Sequence, residues 1–336
     1  MSKDNQVSFI DWHDHFGRIF FKAWKRVGLP DPAGHITRYI AQREHQQLPG
    51  DWIKTNHKIS PGIHGTRLYS VYGFGNIVGN VFSDLFGLSP EQKEKASDWC
   101  GRFNLGISLF DFITDEQEGA TELIKLPVFQ KFSKSDTAER TVLTPAQELL
   151  VKLTADVLEE FIQTGFSLED LQPLFDAQLY LSQKKIHMSV DLLKIQKALF
   201  IKSAEPFSLM AAFVARHGGL KDQERMKRNR SLGQVLGKLY WMVDDARDIW
   251  TDLNEGNWNL FLAEVARLDP ALFQEENQVY NQKEITDILQ LVAYPEALTH
   301  AVLEELTGAL DSLHTTQKTK DKTMGLIAAS LQEWLG

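Results

Sequence analysis

One cysteine, Cys100, is all that the 336-residue sequence contains. No disulfide can close within the chain, which fits a reducing compartment. No run of about 18 apolar residues free of charge occurs, so no integral membrane segment is expected. The opening residues, MSKDNQVSFIDWHDH, lack the basic-then-apolar order of a secretory signal. A soluble cytoplasmic protein is the resulting expectation. Basic runs are absent too, and the net charge of −9 argues against a nucleic-acid partner. There is no glycine-rich phosphate loop ending in Lys-Ser or Lys-Thr; Gly73-Phe74-Gly75 alone does not make one. No Glu-x-x-His pair points to a carboxylate-bridged di-iron bundle. Cys100 follows Trp99 in an apolar helical pattern, a poor setting for a nucleophile. Trp12-His13-Asp14-His15 has no partner ligands nearby in the sequence and reads as part of a terminal amphipathic segment.

Strand-like alternation is also scarce. Apolar residues recur at spacings of three and four, the helical period. Hydrophobic residues make up 43% and charged residues 24%, an ordinary balance that supports a large core. Prolines fall mostly between periodic segments. Pro30 and Pro32 end a first amphipathic stretch in which Phe16, Ile19, Phe20 and Trp24 share a face, and Pro49 and Pro61 bracket a loop-like section. Ser89-Pro90 and Thr144-Pro145 each pair a helix cap with proline at the first helical position. Asp269-Pro270 closes one helix or starts the next. Only around Pro206 does the helical period run straight through a proline, which would kink the helix and free a carbonyl near Lys202 and Ser203. The expectation is a single all-α domain over 1–336 with roughly ten or more helices.

Into this apolar background two acidic clusters are set. In the first, Asp111 and Asp115 lie four residues apart, with Glu116 beside them, in a helix whose other positions are Leu105, Ile107, Leu109, Phe110, Phe112 and Ile113. In the second, Leu239 to Val243 lead into Asp244 and Asp245, and Asp248 and Asp252 follow at four-residue steps. Carboxylates at that spacing share one helix face. Repulsion and burial both oppose such an arrangement unless a counter-charge offsets them. Arg247 can pair with one carboxylate but not with four. Two such faces turned toward each other would form an all-oxygen site for Mg²⁺, an ion held by few carboxylates together with substrate phosphates. That points to chemistry on a diphosphate ester. Asn254, Glu255, Asn257 and Asn259 follow near a helix end, where capping is the simpler role.

Taken in order, these motifs resemble those of the class I isoprenoid synthases, and most of all the trans-polyprenyl diphosphate synthases. Asp111 and Asp115 match the first and last positions of that family's first DDxxD motif, with Phe112 in place of its second aspartate. Lys202-Ser203 resembles its Lys-Thr pair, Asp244-Asp245-Ala246-Arg247-Asp248 its second DDxxD, and His64 to Tyr69 its Gly-Gly-Lys-Arg segment, with Arg67 kept and Thr66 replacing lysine. The resemblance spans His64 to Asn259. It implies a single large helical bundle of the isoprenoid synthase type with a central active-site cavity, residues 1–60 being an N-terminal helical extension and 61–336 the catalytic core.

It further implies a prenyl diphosphate substrate, up to three Mg²⁺ ions and a homodimer. Asp111, Asp115, Asp244 and Asp248 would be catalytic, with Glu116, Asp245 and Asp252 as further metal ligands. Arg67, Lys202, Lys238 and Arg247 would bind the diphosphate, and Phe110, Phe112, Tyr240 and Trp241 would face the hydrocarbon. Two departures bear on the reaction. Chain-elongating members follow the first motif with Arg-Arg-Gly, where this chain reads EQEGATE, and Thr66 removes a cation expected at the isopentenyl diphosphate site. The tail DIWTDLNEGNWN is similar to the second motif of squalene/phytoene synthases and some bacterial terpene cyclases. Three functions are therefore in play: a terpene synthase acting on farnesyl or a longer diphosphate; a prenyltransferase using isopentenyl diphosphate, a second prenyl unit or an aromatic acceptor; and a non-catalytic paralogue that binds or regulates. Prenyl length, product skeleton and acceptor are not legible at this level.

Overall fold

A computed structural model describes residues 12–44, 65–116, 128–129, 143–186, 190–273 and 282–335. The section between Pro49 and Pro61 lies outside them, as do the side chains of Arg67, Asp115 and Glu116. Among the described residues there are twelve α-helices and no strand. They are α1 (Trp12–Arg26), α2 (Ile36–Glu44), α3 (Gly65–Phe86), α4 (Pro90–Glu116), α5 (Pro145–Gln163), α6 (Gln172–Ser182), α7 (Leu192–His217), α8 (Gln223–Glu255), α9 (Leu260–Leu268), α10 (Gln282–Leu291), α11 (Tyr294–Asp311) and α12 (Gln317–Leu335).

The helix starts follow their capping residues. Ser89 opens α4 with its hydroxyl accepting from the Gln92 amide, while the Gln92 side chain accepts from the Ser89 amide. Thr144 and Gln147 repeat this reciprocal box at α5, with Pro145 in the first turn. Asp269 ends α9, and Pro270 begins a short 3-10 turn rather than a further α-helix. In α1 the buried face is Trp12, Phe16, Phe20 and Trp24, while Ile19 is only half-buried. Trp12 also donates to the Ala246 carbonyl at 2.9 Å, tying α1 to the back of α8.

Two helical hairpins, α3–α4 and α7–α8, dominate the packing. Each is drawn tight by glycine. A Cβ on Gly75 would lie 2.5 Å from the Cys100 carbonyl oxygen, and one on Gly237 would lie 2.6 Å from Ala204 Cα. Cys100 itself is fully buried in the first contact, and burial pushes its thiol well above the usual range. It packs; it does not react. Helix α7 runs unbroken through Pro206, which removes the amide that would pair with the Lys202 carbonyl. Although α7 is long and apolar enough to cross a membrane, most of it is buried inside the bundle. The close approach of α7 to α8, and the proximity of both to α4, carries Lys202 toward the acidic residues.

Candidate active site

Three helices bring the sequence-selected residues together. Asp111, near the end of α4, forms an ion pair with Lys202 of α7 at 2.6 Å. Charge on Lys202 and Asp111 acts on Asp244 of α8, and charge on Lys202 also acts on Asp252, two turns further along. Lys202 thus stands among carboxylates from both acidic helices. Arg247 lies alongside. It forms two hydrogen bonds with Asp248 at 2.9 and 3.0 Å, approaches Asp244 to 3.3 Å and sits over the Trp334 ring.

The carboxylates of α8 are not in ordinary states. Desolvation pushes Asp244 up to about 6, opposed by Arg247 and reinforced by Asp248. Asp252 is pushed up to about 7 by desolvation, against a hydrogen bond from Asn259. Half of the Asp244 side-chain surface still reaches solvent. Its charge is therefore partly screened by water.

Asp245 has a different role. It accepts from the Leu260 amide at the start of α9, and burial raises its carboxyl well above the usual range. Asn259 completes this junction. Its side chain donates to the Asp245 carbonyl and to Asp252 Oδ2 and accepts from the Phe261 and Leu262 amides. The second aspartate of the DD pair therefore caps α9, and Asn259 is a cap as its position suggested. The buried indole N–H of Trp241 has no hydrogen-bond partner among the described residues, though it acts on the Asp245 carboxyl, opposing the rise caused by burial.

Between α4, α5 and α6 lies an apolar cavity with about 620 Å³ of empty space, its mouth included; among the described residues none from α7 or α8 lines it. Phe103, Ile107 and Phe110 of α4 face Leu153 of α5 and Leu174 and Phe175 of α6 across it. Phe110 meets Phe175 at 5.5 Å between ring centroids, and Asp111 is the next residue along α4. Of the four aromatics expected to face hydrocarbon, Phe110 lines this cavity. Tyr240 does not: it is buried against Phe74, Phe207 and Trp334 and hydrogen-bonds Ser330 at 2.6 Å. Phe112 and Trp241 are partly buried against the core. Lys238, expected at the diphosphate, is instead paired with Glu305 at 2.7 Å and lies over Phe200.

The sequence reading passed over three polar residues on the cavity wall: Arg102, Thr154 and Gln178. Arg102 is held by Asp98 and Glu160. Gln178 is 5% exposed, and its Oε1 has no hydrogen-bond partner. Its place on the Leu171, Leu174, Phe175 stripe of α6 was the available signal, since that spacing otherwise carries apolar residues. The end of α6 approaches the acidic end of α8: Lys185 bonds Asn257 at 2.7 Å, and the Ile186 amide bonds the Gly256 carbonyl.

Among the described side chains no three acidic, histidine or cysteine groups converge on one point. The donor set nevertheless suits Mg²⁺. It consists of hard oxygens, and such ions take few protein ligands when substrate phosphates supply the rest.

No family model matches the sequence, and no curated protein matches it. Solved structures do match its fold. A polyprenyl synthetase from Streptomyces coelicolor superposes with a TM-score of 0.55 at 14% identity, covering 94% of this chain and 99% of that one. A geranylgeranyl pyrophosphate synthetase from the archaeon Geoglobus acetivorans gives 0.56 at 14%, covering 90% and 99%. A geranylgeranyl pyrophosphate synthase from Lactobacillus brevis gives 0.51 at 15%, covering 91% and 98%. The chain has the all-α fold of the class I isoprenoid synthases over nearly its whole length.

Proposed function

We propose that this protein is a Mg²⁺-dependent class I terpene synthase that ionises an allylic prenyl diphosphate of farnesyl length or longer. The observation that carries the reading is the placement of Lys202 among the Asp111, Asp244 and Asp252 carboxylates; Phe110, the residue before Asp111, walls an apolar cavity together with Phe175. Lys202 and Arg247 would take the diphosphate oxygens, exchanging their carboxylate partners for phosphate. Asp111, Asp115, Asp244 and Asp248 would hold the metal ions, with Asp252 and Glu116 supporting them. When bound, those ions would act as Lewis acids on the leaving group.

The bond between the substrate's first carbon and the diphosphate oxygen breaks heterolytically, and the electron pair leaves with the diphosphate. The allylic cation needs water kept away and electron-rich faces nearby. Phe110 and Phe175 would supply such faces. Loss of a proton from a neighbouring carbon, or addition of water followed by proton loss, completes the reaction.

A second reading is prenyl transfer, favoured by the names of the similar structures, which are polyprenyl and geranylgeranyl synthases. The absence of arginine after the first acidic motif and Thr66 at the expected lysine weigh against elongation with isopentenyl diphosphate. Diphosphate release from geranyl, farnesyl and geranylgeranyl diphosphates with Mg²⁺ and no acceptor separates the two. Release with a cyclic or rearranged product supports the synthase. Release only when an acceptor is added supports the transferase.

A further inference from the structure

A second basin lies at the other end of the bundle, where the α3–α4, α7–α8 and α11–α12 turns meet. It is about 28 Å from the acidic site, reckoned along α8 from Arg225 to Asp244 at ~1.5 Å per residue. Its empty space is about 1000 Å³ including the mouth. Lys221, Arg225 and Arg228 line it, and none of the three forms an ion pair with another described residue. In a chain of net charge −9 this is an unusual gathering of uncompensated cations. Positions 221, 225, 228 and 229 follow the three- and four-residue spacing of one helix face.

The second observation is Asn229. It is 8% exposed, lines the same basin, and its amide hydrogen-bonds no other described residue. Its amide is not sealed from solvent, so it stays available to the basin as a donor. The basin also receives the first turn of α8, whose early amides lack intrahelical acceptors. Asp222 takes one of them, the Arg225 amide, at 2.7 Å and is the carboxylate on this wall. His314 closes the opposite rim, and Leu88 and Leu313 form an apolar margin.

We propose that this basin is a binding site for a phosphate-bearing anion, separate from the acidic site. Arg225 and Arg228 grip the phosphate oxygens, Lys221 adds a point charge and Asn229 donates from below. The occupant is either free diphosphate or the phosphate group of a larger molecule.

Calorimetric titration of the full-length, EDTA-treated protein with inorganic diphosphate and with orthophosphate at about 0.15 M salt tests this. Arg225→Ala/Arg228→Ala, two exposed positions whose loss leaves the core intact, should weaken binding at least about tenfold, the scale of charged hydrogen bonds. Lys227→Ala, outside the basin, should bind as wild type. Asn229→Ala, with an unchanged circular dichroism spectrum, should weaken binding more modestly. Preference for diphosphate would identify the free anion as the occupant; equal affinity would identify a phosphate monoester. No binding, binding unchanged in Arg225→Ala/Arg228→Ala, or equal loss in Lys227→Ala would overturn the proposal.

Discussion

The two acidic helices carry similar motifs but differ in charge balance. On α4, Asp111 already has a full counter-charge in Lys202 at 2.6 Å. On α8, Arg247 pairs with Asp244 and Asp248 only, and Asp244 and Asp252 are pushed up to about 6 and about 7. The α4 carboxylate thus has a direct counter-charge, whereas the α8 stripe carries more carboxylates than paired cations. On the proposed reading a divalent ion would gain most at α8, and diphosphate would then draw Lys202 from Asp111. Adjacent residues differ as sharply: Asp244 is half exposed, while Asp245 holds the α8–α9 junction.

If this contrast is right, the largest effect belongs to Asp244→Ala. Turnover should fall by about a thousandfold or more, as when a group acting mainly on transition-state charge is removed. Helical content by circular dichroism should not change. Asp111→Ala should lose turnover to a similar degree. Lys202→Ala comes next, with about a hundredfold loss in kcat/KM and weaker binding of a diphosphate analogue; an unfolded variant with unchanged affinity would make Lys202 structural.

Asp245→Ala should behave differently from its neighbour. Loss of a cap should cost about 1–2 kcal/mol in urea unfolding, with a smaller effect on turnover than Asp244→Ala. Equal catalytic loss in the two would erase the distinction.

The smallest effect is on stability against pH. An acid with a raised folded pKa binds more protons in the folded state, so stability falls as pH rises between its unfolded and folded values. For Asp244 and Asp252 this window runs from 3.8 to about 6 and about 7. Metal-free protein should thus lose stability between pH 5 and 7.5 from these groups. His217, lowered by burial, contributes with the opposite sign. Asp244→Asn/Asp252→Asn isolates the acidic contribution. The double variant should be more stable than wild type at pH 7.5 by about 1 kcal/mol, after discounting for solvent screening. The gap should narrow as pH falls, closing only below about pH 4, and shrink with added Mg²⁺. No difference at pH 7.5 would contradict the charge deficit on α8.

Much of this was legible in the sequence because it is local. Helix starts at Ser89 and Thr144 follow from residues three apart, and the acidic stripe follows from four-residue spacing. The Lys202 position came from motif order. What escaped depends on contacts distant in sequence. Lys238 looked available because its partner Glu305 is 67 residues away. Asp245 looked like a ligand because its cap forms only where α8 turns back into α9. Tyr240 looked like a pocket residue because periodicity does not say which neighbour a buried face meets. Gln178 carried no charge to mark it; only its setting in an apolar wall does so.

Mg²⁺-dependent diphosphate release from farnesyl diphosphate without acceptor, measured side by side for wild type and Asp244→Ala, tests the central claim most directly. The account predicts release with a cyclic or rearranged product from wild type, none with EDTA, and none above background from the variant. Equal release from both, or release independent of Mg²⁺, would contradict it.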